Sequence, residues 1–200
     1  MPASERPALI EEALTFAGLT PPELYLDRFP HELSGGQRQR VAIAASIVLR
    51  PKLLVADEPV SMLDVSVRAG ILRLLDDLRR SGLGILMITH DLSTAAHFAD
   101  RICVMYLGRI VEQGPAREVV QNPQHPYTRA LMSVLPKADP DDRMTPQILT
   151  GEAPNPIHVP PGCRFNPRCP VMIDICRSTD PELRPAPDAL QGHEAACLLL

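Results

Sequence analysis

Hydrophobic and polar positions along this chain recur with two periods, and each period predicts its own elements. Leu9, Ile10, Ala13, Leu14 and Ala17 fall at helical spacing until Gly18, predicting a helix within 7–19. A second helix is expected from Ser34 to about Leu49, stopped by Pro51. Leu53, Leu54, Val55 and Ala56 form an uninterrupted apolar run bounded by charge, the pattern of a buried parallel strand. Val67, Ile71, Leu74, Leu75 and Leu78 make an amphipathic stripe, so a helix should occupy about 65–80. Gly82 and Gly84 frame the turn into a strand over 85–89, and a short helix is expected over 91–99. Residues 102–106 and 109–112, joined through Leu107-Gly108, read as a hairpin. Short helices follow over 116–121 and 127–135, and periodicity weakens after Pro136. Strands alternating with helices imply an α/β chain holding part of a parallel, doubly wound sheet.

Composition narrows the class. An apolar fraction of 45% supports a real core. A net charge of −4 with only Lys52 and Lys137 as lysines offers no basic surface, so nucleic acid is not an expected partner. The apolar runs are strand-sized, too short to span a bilayer. Residues 1–20 carry Glu5, Glu11 and Glu12 and no long apolar run, unlike a signal peptide. A cytosolic setting with reduced cysteines is therefore expected. Prolines concentrate from Pro115 onward, and four of the five cysteines lie in the last 40 residues. That shift divides the chain into a regular α/β part, 1–114, and a loop-rich, Cys/Pro-rich C-terminal appendage, 115–200.

Three short stretches carry chemistry. Ser34 at a helix N-cap can bond a phosphate oxygen, and Gly35 and Gly36 lack the Cβ that would keep their amides away from it. An ordinary Gly-Gly turn before a helix would look similar, but Gln37, Arg38, Gln39 and Arg40 follow and an acidic strand end lies behind. Asp57 closes that strand, where a carboxylate can hold the water shell of Mg²⁺. Glu58, one step toward the loop, is placed to polarise an attacking water as general base. His90 ends the next strand, at the carboxyl edge where open α/β sheets bind ligands. It can bond a γ-phosphate or orient Glu58 and water. Cys103, between Ile102 and Val104, reads as a small core residue.

Leu33–Gln37, Leu53–Glu58, the stretch from Ser61 to Asp64 and Thr89-His90-Asp91 resemble the signature motif, Walker B, D-loop and switch of ABC-transporter ATPases. Gln124-His125-Pro126-Tyr127-Thr128-Arg129-Ala130-Leu131 and the Gly162–Pro170 stretch are similar to the oligopeptide/dipeptide/nickel-import branch. The resemblance implies a partial P-loop NTPase sheet with helices, energising uptake of peptides or nickel. It implies two subunits sandwiching two ATP molecules. Asp57, Glu58 and His90 would serve one site, while Ser34, Gly35, Gly36 and Gln37 serve the partner's site and Asp64 lies in the D-loop. Mg²⁺, membrane permease subunits and an extracytoplasmic solute-binding protein are further implied, with the chain peripheral on the cytoplasmic membrane face.

No G-x-x-x-x-G-K-[ST] phosphate loop occurs in the 200 residues, and both lysines follow proline. The resemblance places the missing loop in about the first two-fifths of a full subunit. Alone, the chain is expected to expose apolar sheet surface and to be inactive, acting through a partner's site if at all. The four late cysteines run Cys163-x5-Cys169-x6-Cys176-x20-Cys197. Four thiolates in a proline-rich segment suggest a metal staple, iron–sulfur or zinc, with free thiols or disulfides as alternatives. Spacing alone does not separate them. Resemblance to importer tails that carry a [4Fe–4S] cluster favours that cluster.

Overall fold

The computed structural model describes residues 2–61, 63–135, 146–152, 154–187 and 192–200, and these form two compact units, 1–90 and 91–200. The composition shift at 114/115 falls inside the second.

The first unit begins with helix α1 (Arg6–Phe16), which buries Ala13 and Leu14 and leaves Ile10 exposed. Helix α2 (Gly35–Ile47) packs against α1 and against helix α3 (Val65–Arg80). α2 stops two residues short of its expected end because Arg50 takes the left-handed conformation, φ +50°, before Pro51. Of the α3 stripe, Val67 is half-buried, while Ile71, Leu74, Leu75 and Leu78 are buried and are joined by Leu72. Each such side chain contributes about 1.5–3 kcal/mol relative to leaving it in water. Strands β1 (Leu53–Asp57) and β2 (Gly84–Ile88) pair in parallel, with Leu53 opposite Gly84 and Asp57 opposite Ile88.

This pairing uncovers a difference from the buried-strand expectation. Side chains alternate across a sheet, so Leu53, Val55 and Asp57 share one face with Leu86 and Ile88. On that face Leu53 and Val55 are each 57% exposed. Leu54 is buried on the other face, and α3 packs on β2. One face of the sheet is covered and one is bare among the described residues.

The second unit opens with helix α4 (Leu92–Phe98), capped by the Asp91 carboxylate on the amides of Ser93 and Thr94. Strands β3 (Arg101–Tyr106) and β4 (Arg109–Pro115) form the expected hairpin. Its turn residues Leu107 and Gly108 both have positive φ, matching the twist of the flanking strands. β3 therefore belongs to an antiparallel sheet of order β3-β4-β6-β5, completed by β5 (Arg184–Pro185) and β6 (Glu194–Ala195). Helices α5 (Ala116–Gln121) and α6 (Pro126–Ser133) follow β4. Ile102, Val104, Tyr106, Val111, Ala116, Val119 and Phe165 make the core.

Cys103 is not in that core. It is exposed, its Sγ 3.7 Å from Gln113 Oε1. β3 keeps strict alternation, with Ile102, Val104 and Tyr106 inward and Cys103 and Met105 outward. The even run of apolar residue types hid the two-residue period.

Candidate functional site

β1 and β2 run side by side, so their carboxyl ends deliver adjacent residues. Glu58 follows β1 directly, and its amide donates to the Ile88 carbonyl of β2 at 2.9 Å. Its own carbonyl accepts from the Ser61 amide at 3.1 Å and the Ser61 hydroxyl at 2.9 Å. These bonds hold Glu58 at φ +48°, a left-handed conformation that costs a residue bearing a Cβ about 1–2 kcal/mol. The twist turns the side chain toward His90. Glu58 Oε1 lies 2.6 Å from His90 Nδ1, with the carboxylate 37% and the imidazole 79% exposed. A protonated Nδ1 donates to the carboxylate and fixes its orientation while the pair remains open to water. Such a pair can accept a proton from an attacking water and hold the acceptor in place. Asp57, one residue earlier, lies on the bare sheet face.

Ser34 caps α2 with reciprocal bonds. Its Oγ accepts from the Gln37 amide at 3.2 Å, and the Gln37 Oε1 accepts from the Ser34 amide at 2.9 Å. The S-x-x-Q spacing of a capping box was present in the sequence. This arrangement uses the Gln37 amide and leaves the amides of Gly35 and Gly36 as the first-turn donors that helix geometry itself does not pair. The two glycines differ in what they permit. A Cβ at Gly35 would meet Leu63 Cδ2 at an ordinary 3.8 Å, but one at Gly36 would stand 2.5 Å from Val67 Cγ1. Gly36 is thus required for the approach of α2 to α3, a packing role that the phosphate argument did not foresee.

Asp64 caps α3, accepting from the Val67 amide at 2.9 Å and from the Ser66 hydroxyl at 2.7 Å. The Ser66 bond, followed by the Val67 amide, holds its carboxyl below the usual aspartate range. The signature residues, Leu63 and the Asp64 cap thereby gather at one end of the α2–α3 pair. Arg40, also unforeseen, donates from Nη1 to the Ala17 carbonyl at 2.7 Å and ties α2 to the end of α1. Met62 and Lys137 lie outside the described residues.

The late cysteines are separate thiols. Burial, helped by the neighbouring thiols, pushes Cys163 and Cys169 above the ordinary cysteine value. Cys176, Cys169 and Cys197 all act on Cys163 in this way, so the four occupy one neighbourhood. The Cys163 amide donates to the Cys176 carbonyl at 2.9 Å. The donor set suits a thiophilic metal in kind, but not in arrangement. Among the described residues no group of three or more His, Cys, Asp or Glu is placed to hold a metal ion.

The remaining histidines are structural or exposed. His125 is buried, caps α6 by accepting from the Tyr127 amide at 3.1 Å, and packs on Phe165. Burial, with a smaller contribution from Arg129, lowers its pKa to about 4. Glu112, absent from the sequence reading, is fully buried and bonds His193.

Residues 4–61 match the ABC transporter family, and residues 111–176 match the family described as oligopeptide/dipeptide transporter, C-terminal region. A putative peptide import ATP-binding protein of Brucella ovis is 49% identical over 179 residues, covering 89% of this chain and 55% of that protein. The dipeptide transport ATP-binding protein DppF of Haemophilus influenzae is 51% identical over 174 residues, covering 86% and 52%. The solved structure of cbiO1 from Clostridium perfringens, part of the ABC transporter complex cbiONQ, aligns with a TM-score of 0.55 at 35% identity. It covers 61% of this chain and 48% of that one. The chain spans about half the length of the curated relatives it matches.

Proposed function

The chain belongs to the ATP-binding proteins of ABC transporters, on the oligopeptide/dipeptide side of that family, and from this premise we propose that it energises import of peptides by ATP hydrolysis. The observation that carries the reading is the Glu58–His90 pair at the carboxyl ends of two parallel strands. In this reading Glu58 takes the proton of the attacking water, His90 orients Glu58, and Asp57 holds the Mg²⁺ of MgATP. Ser34, Gly35, Gly36 and Gln37 present the α2 N-terminus to the nucleotide of a second ATPase subunit, homo- or heteromeric, and Asp64 lies at that junction. Catalysis of phosphoryl transfer to water is mainly positioning and charge stabilisation.

The 200 residues contain no G-x-x-x-x-G-K-[ST] stretch, and in this reading the phosphates are held by residues other than these. This favours a second reading, in which the chain donates its signature motif to a partner's ATP site and does not itself hydrolyse ATP. Membrane permease subunits, a solute-binding protein and a position on the cytoplasmic membrane face complete the assembly we propose. No described helix is long and apolar enough to cross a membrane.

We extend the proposal to Cys163, Cys169, Cys176 and Cys197 as ligands of a [4Fe–4S] cluster, with zinc as the alternative. Four thiols in one neighbourhood support it, and binding would require the segment to draw them together and deprotonate them. Visible absorption and the paramagnetic spectrum of the reduced, anaerobically purified chain distinguish cluster from zinc.

The transport reading is tested in an amino-acid auxotroph of the source cell fed the amino acid only as a dipeptide. The wild-type allele should support growth and the Glu58→Gln allele should not. Equal growth would refute it.

A further inference from the structure

The Gln124–Leu131 motif and the cysteine segment lie far apart in sequence, and one buried carboxyl joins them. Glu112 on β4 is 0% exposed. Its Oε1 accepts from the Gln124 amide at 2.8 Å and its Oε2 from the His125 amide at 2.8 Å. Oε1 also lies 2.7 Å from His193 Nε2. His193 Nδ1 is buried with no hydrogen-bond partner among the described residues, which assigns the ring proton to Nε2 and makes the histidine a donor to Glu112. A buried carboxyl thus closes three donors from two segments, one of them the tail.

The tail then continues in register. Glu194 and Ala195 pair with Gln113 and Glu112, Gln113 Nε2 donates to Glu194 Oε2 at 2.7 Å, and the Ala196 amide donates to the Val111 carbonyl at 2.8 Å. Cys197 is the next residue. The other end of the cysteine segment has its own seat. Phe165, 1% exposed, lies in ring contact with Tyr106, Tyr127 and His125. It sits two residues after Cys163.

We propose that Glu112, acting through His193, is the positioning residue that pins Cys197 to the cysteine group, while the aromatic seat of Phe165, which shares His125 with Glu112 but not His193, pins Cys163. The inference rests on the reading of the four cysteines as one site and holds with or without a metal in it. His193→Phe removes the donor to Glu112 while the Gln124 and His125 amides keep their acceptor, so it opens the tail side of the clasp alone. Gly114→Ala reaches the same clasp sterically, since a Cβ there would stand 3.0 Å from His193 Cα.

The test is site-resolved alkylation of the full chain with iodoacetamide, under reductant and chelator, read by peptide mass spectrometry. Chelation separates the outcome from whether any metal binds. Losing this buried hydrogen bond should raise the Cys197 rate about tenfold in His193→Phe, while Cys163 keeps its wild-type rate. Gly114→Ala should move Cys197 in the same direction. An unchanged ratio of Cys197 to Cys163 in either variant would overturn the proposal. So would a common rise of all four cysteines, which would mean the two ends are not separately anchored.

Discussion

Glu58 Oε1 and His90 Nδ1 stand 2.6 Å apart although 32 residues separate them in sequence. The parallel register of β1 and β2 creates that proximity, and the left-handed backbone at Glu58 aims the carboxylate into it. An open, oriented carboxylate is suited to a water nucleophile that must arrive and leave with each cycle.

Glu58→Gln removes the proton acceptor while keeping the side chain's shape. Where a phosphate-loop-bearing segment completes this chain's own site, single-turnover hydrolysis should fall about 10²–10⁴-fold at an unchanged ATP affinity. His90→Ala, which frees the carboxylate without removing it, should cost less. Rapid-quench measurement with labelled ATP checks both.

Holding Glu58 at positive φ costs stability. Glu58→Gly should raise unfolding free energy by about 1 kcal/mol while abolishing hydrolysis. Urea titration followed by far-UV circular dichroism reads the first effect, and a loss of stability would contradict strain at this position.

Gly36 admits Val67 at a distance no Cβ tolerates. Gly36→Ala should destabilise the first unit by about 1–3 kcal/mol. Val67→Ala, made in the same chain, should recover most of that loss, giving a strong coupling in a double-mutant cycle. Simple additivity of the two substitutions would place the contact elsewhere.

His125 sets an acid limit on the second unit. Its folded pKa of about 4 lies below the ordinary 6.5, so on acidification the unfolded chain takes the proton first. The stability it confers is complete above pH 6.5, declines as pH falls, and is gone below pH 4. The interval corresponds to about 3 kcal/mol. His125→Asn keeps a cap acceptor for Tyr127 without the titration, so it should flatten the stability profile between those limits. Near-UV circular dichroism of the tyrosines follows the transition.

What the sequence made legible was local. Ser34 to Gln37, Glu58, Asp64 and His90 each follow from a few adjacent residues, and each element that holds them begins within one or two residues of its expected place. Glu112 was invisible because its partners lie 12, 13 and 81 residues away, and a glutamate in a hairpin strand reads as solvent-facing until the tail covers it. Cys103 was misread because its apolar neighbours gave no alternation to follow. The packing role of Gly36 was masked by a second reason for glycine at the same position, the approach to phosphate.

The central claim is that these 200 residues carry the hydrolytic and signature parts of an ATP site without the part that holds the phosphates. Isothermal calorimetry of the purified chain with MgATP tests it most directly. The account predicts no binding by the chain alone. Micromolar binding would contradict it, because β1, β2 and Asp57 would then hold a nucleotide without a phosphate loop.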